Sequence, residues 1–293
     1  MTDKPQRQAS QFAHETQDVA AVESTVRAFL REHVDGAGAD GVVVAMGGGL
    51  DSTVTATLAV QALGPDRVLG LGLPCHKTDA SATMEASVVA DHLGMEFQRV
   101  HLQPLLQGFE QQLAPSLAGE VPRGPTPTPD RARHNTIARL RMCCTYYAAN
   151  RRNRLVVGTA NRSELLLGYV TKYGDGAADL FPLGRLYKTE VRALAEHLGL
   201  PDPIVEKVPT TGRYPGQTDA DDLGATYDVI DSLLYRVIEE GDPVDGAAEA
   251  LDIDESTAQR LVSMCAETAH KRTMPPVADI GGRSRRPAAD ERD

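Results

Sequence analysis

Several things are missing from this chain. It has no apolar run of about 18 residues or more, so nothing in it reads as a membrane-spanning helix. Its first residues, MTDKPQRQASQFAHETQD, hold no apolar stretch of the kind a secretory signal needs. Cysteine is scarce, and Cys75, Cys143, Cys144 and Cys265 form neither a CxxC pair nor a zinc spacing. The expectation is reduced, buried thiols in a cytoplasmic protein. Positive charge is short too: a formal net charge of −11 denies the chain the basic footprint that general nucleic-acid binding requires. Lysine is the scarcest cation, at six of 30 basic residues. Arginine therefore carries the ordinary surface charge, and each lysine becomes a candidate for a specific task.

What is present suits a soluble globular protein, with 41% hydrophobic and 24% charged residues. Its 293 residues can bury a substantial core as one large domain or two modest ones. The most telling stretch is VVVAMGGGLDS at 42–52. Four apolar residues suited to a buried strand run into three glycines, then an acid and a hydroxyl. A strand that empties through glycines into a helix is a place to hold phosphate, because successive N–H groups converge at the positive end of the helix. The loop is not a P-loop, since GK[ST] is absent and Asp51 stands where that motif has lysine. It is not the dinucleotide GxGxxG either, because the spacing fails.

Periodicity predicts a helix over 21–34, a strand over 42–45, a helix from about 52 to 63, a strand over 67–73 and a helix over 79–93. Further strands are expected at 96–102 and 155–159, and further helices at 135–152, 188–198, 222–239, 245–251 and 255–271. The alternation implies an α/β fold: a doubly wound parallel sheet with helices on both faces, followed by C-terminal helices. Ligands in such sheets lie at the carboxyl ends of the strands, where the glycine loop falls. Residues 1–20 read as a mobile arm, 115–129 as an exposed proline-rich loop, 209–221 as a candidate lid and 275–293 as a disordered tail. A single domain is expected over 21–274.

Phosphate chemistry at ATP needs a metal, and Mg²⁺ prefers one or two carboxylates plus phosphate oxygens and water. Asp51 puts one carboxylate at the loop, and Glu164, five residues beyond LVVGT, can reach the same crevice from the neighbouring strand. Lys188 at a helix start opposes the helix dipole, which favours a functional role.

The six residues Gly47, Gly48, Gly49, Leu50, Asp51 and Ser52 resemble the SGGxDS loop of the N-type ATP pyrophosphatases, with glycine for the leading serine. Downstream, NTIARLRM, LVVGTANRSE, GYVTKYGDGAADLFPLG, LYKTE, PTTG, PGQTDADDLG and AHKR follow in the order and spacing of the ammonia-dependent NAD synthetases. That resemblance covers roughly residues 20–275, and TKYGDGAAD is its most specific part. It implies the adenine nucleotide alpha hydrolase-like fold and an ATP- and Mg²⁺-dependent amidation of deamido-NAD by ammonia. Ala45, Met46 and residues 47–52 would bind the ATP phosphates, with Thr159, Lys188 and Thr210 also on ATP. Asp51 and Glu164 would hold Mg²⁺. Arg139, Lys172, Asp179, His270 and Lys271 would hold deamido-NAD, and Asp175 would stand near the ammonia.

Some of these residues have plainer readings. His270 and Lys271 lie where capping also puts cations, and Asp175 between two glycines also reads as turn chemistry. Arg141, Asn161 and Arg185 are expected at the rim or in structural roles. The resemblance further implies a homodimer involving the helices near 135–152 and 222–240, and direct use of ammonia, since no cysteine nucleophile carries a supporting motif. The rivals are another adenylating pyrophosphatase of the same superfamily and a nucleotide-binding protein without catalysis.

Overall fold

The computed structural model describes residues 18–76, 79–117, 131–210, 216–278 and 280. Its strands are β1 (Gly41–Ala45), β2 (Val68–Gly72), β3 (Glu96–Arg99) and β4 (Arg154–Val157). The helices used below are α1 (Val19–Gly36), α2 (Leu50–Leu63), α3 (Ala80–His92), α4 (Gln103–Gln112), α5 (Arg131–Arg151), α6 (Arg162–Leu167), α7 (Lys188–His197), α8 (Tyr227–Leu234), α9 (Val244–Ala250) and α10 (Glu255–Glu267).

The sheet runs in the order β3-β2-β1-β4 with every pairing parallel. Val42 of β1 pairs with Val68 on one side and Leu155 on the other. The chain starts at β1, winds out to one edge, then returns to the far side of β1. Such a reversal sends the connections after β1 and β3 to opposite faces and opens a crevice at the strands' carboxyl ends.

Side chains alternate across a strand, and this sheet uses both faces. Val42 and Val44 join Leu30 of α1, Val54 and Leu58 of α2, Ala90 of α3 and Leu194 of α7. Val43, Leu69, Leu71 and Val156 pack on the opposite face with Leu106 of α4 and with Ile137 and Ala149 of α5. Strands so uniformly apolar need cover on both sides, and the doubly wound arrangement expected from the sequence is observed. A second apolar cluster joins Leu167, Tyr187, Ile230, Leu233, Ala247 and Leu261, tying α8, α9 and α10 to α6 and to the start of α7. The C-terminal helices thereby buttress the two elements that carry Glu164 and Lys188.

Several boundaries differ from expectation. The second helix starts at Leu50 rather than Ser52, so Asp51 lies in its first turn. The helix expected over 222–239 is two pieces: a helical turn over Asp219–Leu223 ends on Gly224 at φ +71°, and α8 begins at Tyr227 before widening into π-type turns over Tyr235–Glu240. The last helix stops at Glu267, and Ala269–Lys271 forms a separate tight turn. The third strand is shorter than expected, α5 is already helical at Arg131, and α4 and α6 have no counterpart among the expected helices. Cys75 and Cys265 are buried as expected, whereas Cys143 is exposed. The expected arm, tail, proline-rich loop and lid fall wholly or in part on residues 1–17, 281–293, 118–130 and 211–215, outside the described residues. No helix among the described residues is long and apolar enough to cross a membrane.

Candidate active site

Met46 makes the last tie between the β1 segment and the sheet, donating to the Leu71 carbonyl at 2.8 Å. The N–H groups of Gly47, Gly48 and Gly49 then find no acceptor among the described residues. Gly48 takes φ +70°, and a Cβ there would stand 2.2 Å from the Ala82 carbonyl oxygen of α3, so no other residue fits. Gly47 is different: beyond its chain neighbours, none of the described residues comes within 4 Å of its Cβ position. The side chains of Met46 and Leu50 are in the core, which leaves only their main chain to meet a ligand. Ser52 and Thr53 turn their hydroxyls back to the Gly49 carbonyl, at 3.1 and 2.9 Å. Asp51 in the first turn of α2 is favoured by the helix dipole.

The other wall of the crevice follows β4. Thr159 is half-buried at that strand's end. Asn161 then caps α6, its Oδ1 accepting from the Glu164 N–H at 3.0 Å while Glu164 Oε2 accepts from the Asn161 N–H at 3.3 Å. The same Asn161 donates through Nδ2 to Asp51 Oδ1 at 2.9 Å. Lys188, only 4% exposed, donates from Nζ to Asp51 Oδ2 and stands 3.7 Å from Glu164 Oε1. One buried ammonium is thus bracketed by the two carboxylates that the sequence marks as metal ligands.

Buried polar groups hold this ammonium in place. The Lys188 N–H donates to Ser163 Oγ at 3.0 Å, the Thr189 N–H to Asp231 Oδ2 at 2.8 Å, and Ser163 Oγ also bonds Asp231. The Tyr227 ring lies 5.4 Å from Lys188 Nζ, and its hydroxyl donates to Asp219 at 3.2 Å. Burial lifts the Glu164 carboxyl well above the usual range, the Asp51 charge adds to this, and Lys188 opposes it. Burial works to lower the Lys188 ammonium, but Asp51 and Glu164 outweigh it and hold the group charged. The Asp231 carboxyl is pushed up to about 6 by burial, against the bonds from Ser163 and Thr189.

A second group gathers where the chain leaves α6. Lys271 Nζ donates to the carbonyls of Gly168 and Val170 at 2.6 and 3.0 Å. Arg139 Nε donates to the Lys172 carbonyl at 3.1 Å, and Lys172 Nζ lies 3.5 Å from His270 Nδ1. Four of the residues expected on the second nucleotide are therefore together. Asp179 accepts instead from Tyr146 at 3.1 Å and from the Val156 N–H at 2.7 Å, bracing the edge of β4. Asp175 closes the turn after Thr171, accepting that residue's N–H at 2.8 Å. Thr210 donates to the Gln217 carbonyl at 2.8 Å.

A hard divalent cation asks for one or two carboxylates and takes its other oxygens from phosphate and water. Asp51 and Glu164, converging on one point of positive charge, fit that demand. No group of three or more metal-ligating side chains occurs among the described residues.

Residues 22–275 match the NAD synthase family. The chain is 40% identical over 265 residues to the NH(3)-dependent NAD(+) synthetase of Methanosarcina acetivorans, covering 90% of this chain and 99% of that protein. Among solved structures it resembles the NH3-dependent NAD synthetase of Campylobacter jejuni (TM-score 0.72, 29% identity, covering 90% of this chain and all of that one). It is equally close in shape to the NMN synthetase of Francisella tularensis (TM-score 0.72, 30% identity, 90% and 99% covered). These likenesses bear out the adenine nucleotide alpha hydrolase-like fold, and the chain belongs to the NAD synthase family of ligases.

Proposed function

We propose that this chain converts deamido-NAD to NAD with ammonia, at the expense of ATP cleaved to AMP and pyrophosphate. The observation that supports this most is the bracket of Asp51, Lys188 and Glu164 beside glycine amides that find no acceptor among the described residues at the β1/β4 crevice. Amides at a helix start suit phosphate oxygens. Lys188, fixed through Ser163 and Asp231, suits the charge that gathers on the α-phosphate as the nicotinate carboxylate attacks phosphorus and pyrophosphate leaves. Ammonia then attacks the carbonyl of the resulting adenylate, AMP departs with the bonding electrons, and a proton is lost from nitrogen. Mg²⁺, held by Asp51 and Glu164, would neutralise phosphate charge. The chain's own contribution is positioning and electrostatics. Arg139, Lys172, His270 and Lys271 supply the cationic ground for the acceptor's phosphates and carboxylate. Asp175 is the candidate proton acceptor for ammonium.

The direct experiment mixes the protein with ATP, Mg²⁺, deamido-NAD and ammonium and follows pyrophosphate, AMP and NAD. Equimolar formation of the three, dependent on deamido-NAD and without need of glutamine, is expected. The likeness to an NMN synthetase makes nicotinic acid mononucleotide the comparison acceptor. Preference for it would move the assignment to the mononucleotide. Absence of turnover would leave a nucleotide-binding protein. A homodimer is proposed as the working form, with α5, where Tyr147 is 69% exposed, as a candidate contact. A monomer mass by light scattering would overturn that.

A further inference from the structure

Among the described lysines, Lys207 is the one whose place at the crevice the sequence does not account for. It follows a helical turn over Asp202–Val205, and Val205 anchors that turn in the core. Lys207 Nζ donates to the Gly48 carbonyl at 2.7 Å and also bonds Glu85 of α3. Gly48 is pressed on its other side against the Ala82 carbonyl of the same helix. Three elements therefore meet at the apex of the glycine loop: the loop itself, α3 and the segment leading to Thr210.

In a trans peptide the C=O and the following N–H point in opposite directions. A lysine that holds the Gly48 oxygen therefore turns the Gly49 N–H the other way, and that N–H has no acceptor among the described residues. With three glycines in a row this plane has little else to fix it, since glycine crosses readily between positive and negative φ. We infer that Lys207 is a positioning residue: by clamping the Gly48–Gly49 peptide it aims the Gly49 amide at the terminal phosphates of the nucleotide. The inference rests on the reading of this loop as the ATP site, and it concerns the pyrophosphate end of ATP rather than the adenosine end.

The test is calorimetric binding of Mg-ATP, pyrophosphate and AMP to the full chain, with initial rates alongside. In K207M the stem remains and the donor is lost. ATP and pyrophosphate are expected to weaken about tenfold, as for one hydrogen bond to a charged group. AMP should change less than about twofold, because it lacks the phosphates the clamp serves. The KM for ATP should rise while that for the acceptor stays, and K207R should recover most of the loss because it keeps a cationic donor. Glu85 is exposed, so E85K threatens the fold less than a change at Lys207. It places a like charge beside Lys207 and should weaken pyrophosphate about fivefold by loosening the clamp. Equal weakening of ATP, pyrophosphate and AMP would reduce Lys207 to a structural role and overturn the inference. So would unchanged pyrophosphate affinity in K207M, or tighter affinity in E85K. Failure of the unaltered protein to bind ATP would instead strike the reading of the site itself.

Discussion

Asn161 donates to Asp51 at 2.9 Å, joining the two walls of the crevice through residues 110 positions apart. Its carbonyl oxygen at the same time caps α6 at Glu164. One fully buried side chain thus sets both carboxylates of the site. N161A should lose a cap, about 1 kcal/mol of stability, and should also free Asp51 to swing. A melting temperature lower by a few degrees and kcat/KM down by about tenfold or more are expected. N161D keeps a capping oxygen but turns a donor toward Asp51 into a third carboxylate. It should melt closer to the unaltered protein and yet be the less active of the two. Full activity in N161D would show that the bridge to Asp51 has no part in turnover.

Gly47 departs from the loop pattern the rest of the motif follows, and the structure leaves room for the missing side chain. Apart from its chain neighbours, no atom of the described residues lies within 4 Å of its Cβ position, and its φ is not in the left-handed region. G47S should therefore fold without strain and add a hydroxyl at the phosphate loop. Pyrophosphate affinity up by about tenfold is expected, the size of one hydrogen bond to a charged group, with the acceptor's KM unchanged. Calorimetry showing equal or weaker binding would mean the loop already satisfies its phosphate without that hydroxyl. G48A, by contrast, should weaken binding and stability together, because its backbone and its 2.2 Å approach to Ala82 both exclude a side chain.

The glycine loop and Lys188 stand out in the sequence because each breaks a local rule: three glycines after a strand, and a cation at a helix start. Asp51 and Glu164 stand out only by their places in the loop and after the neighbouring strand. Asn161 reads in the sequence only as a rim or structural residue, although its spacing from Glu164 is a capping-box signal for α6. That helix has six residues, too short for periodicity to show. Lys207, Asp231 and Tyr227 obey every local rule. They matter only because the fold carries them to Gly48, Thr189 and Lys188, and no window of sequence contains such pairs. The helix expected over 222–239 failed for a readable reason, since Gly224 stops the first piece in the left-handed conformation.

Lys188 separates two carboxylates that would otherwise face each other across the crevice. In K188M that neutralisation is gone. Turnover should fall by at least about a hundredfold, the usual loss when a preorganised charge at a reacting phosphate is removed. Divalent cations should bind the nucleotide-free variant more tightly than the unaltered protein, because Asp51 and Glu164 no longer share an internal cation. Calorimetric titration with Mg²⁺ alone checks this. Retained turnover would remove Lys188 from the chemistry and leave it a purely structural ion pair.

Asp231 supplies a pH test of the buried support behind Lys188. Its folded carboxyl is pushed up to about 6 by burial, while in the unfolded chain it titrates near the ordinary value of about 3.9. Between those values the folded state keeps a proton that the unfolded state has released. This group's contribution to stability is therefore greatest below about pH 4 and is lost as the pH rises through about 6. D231N cannot titrate and keeps one carbonyl oxygen for either Ser163 or Thr189, so it is less stable at every pH but lacks this dependence. Urea unfolding of both proteins at about pH 4.5, 5.5 and 6.5 isolates the effect. The stability of the unaltered protein minus that of D231N should shrink steadily across the series. A difference that stays flat would mean that Asp231 is already ionised throughout, and one that grows would mean that the bonds from Ser163 and Thr189 outweigh burial and hold its carboxyl below the ordinary value.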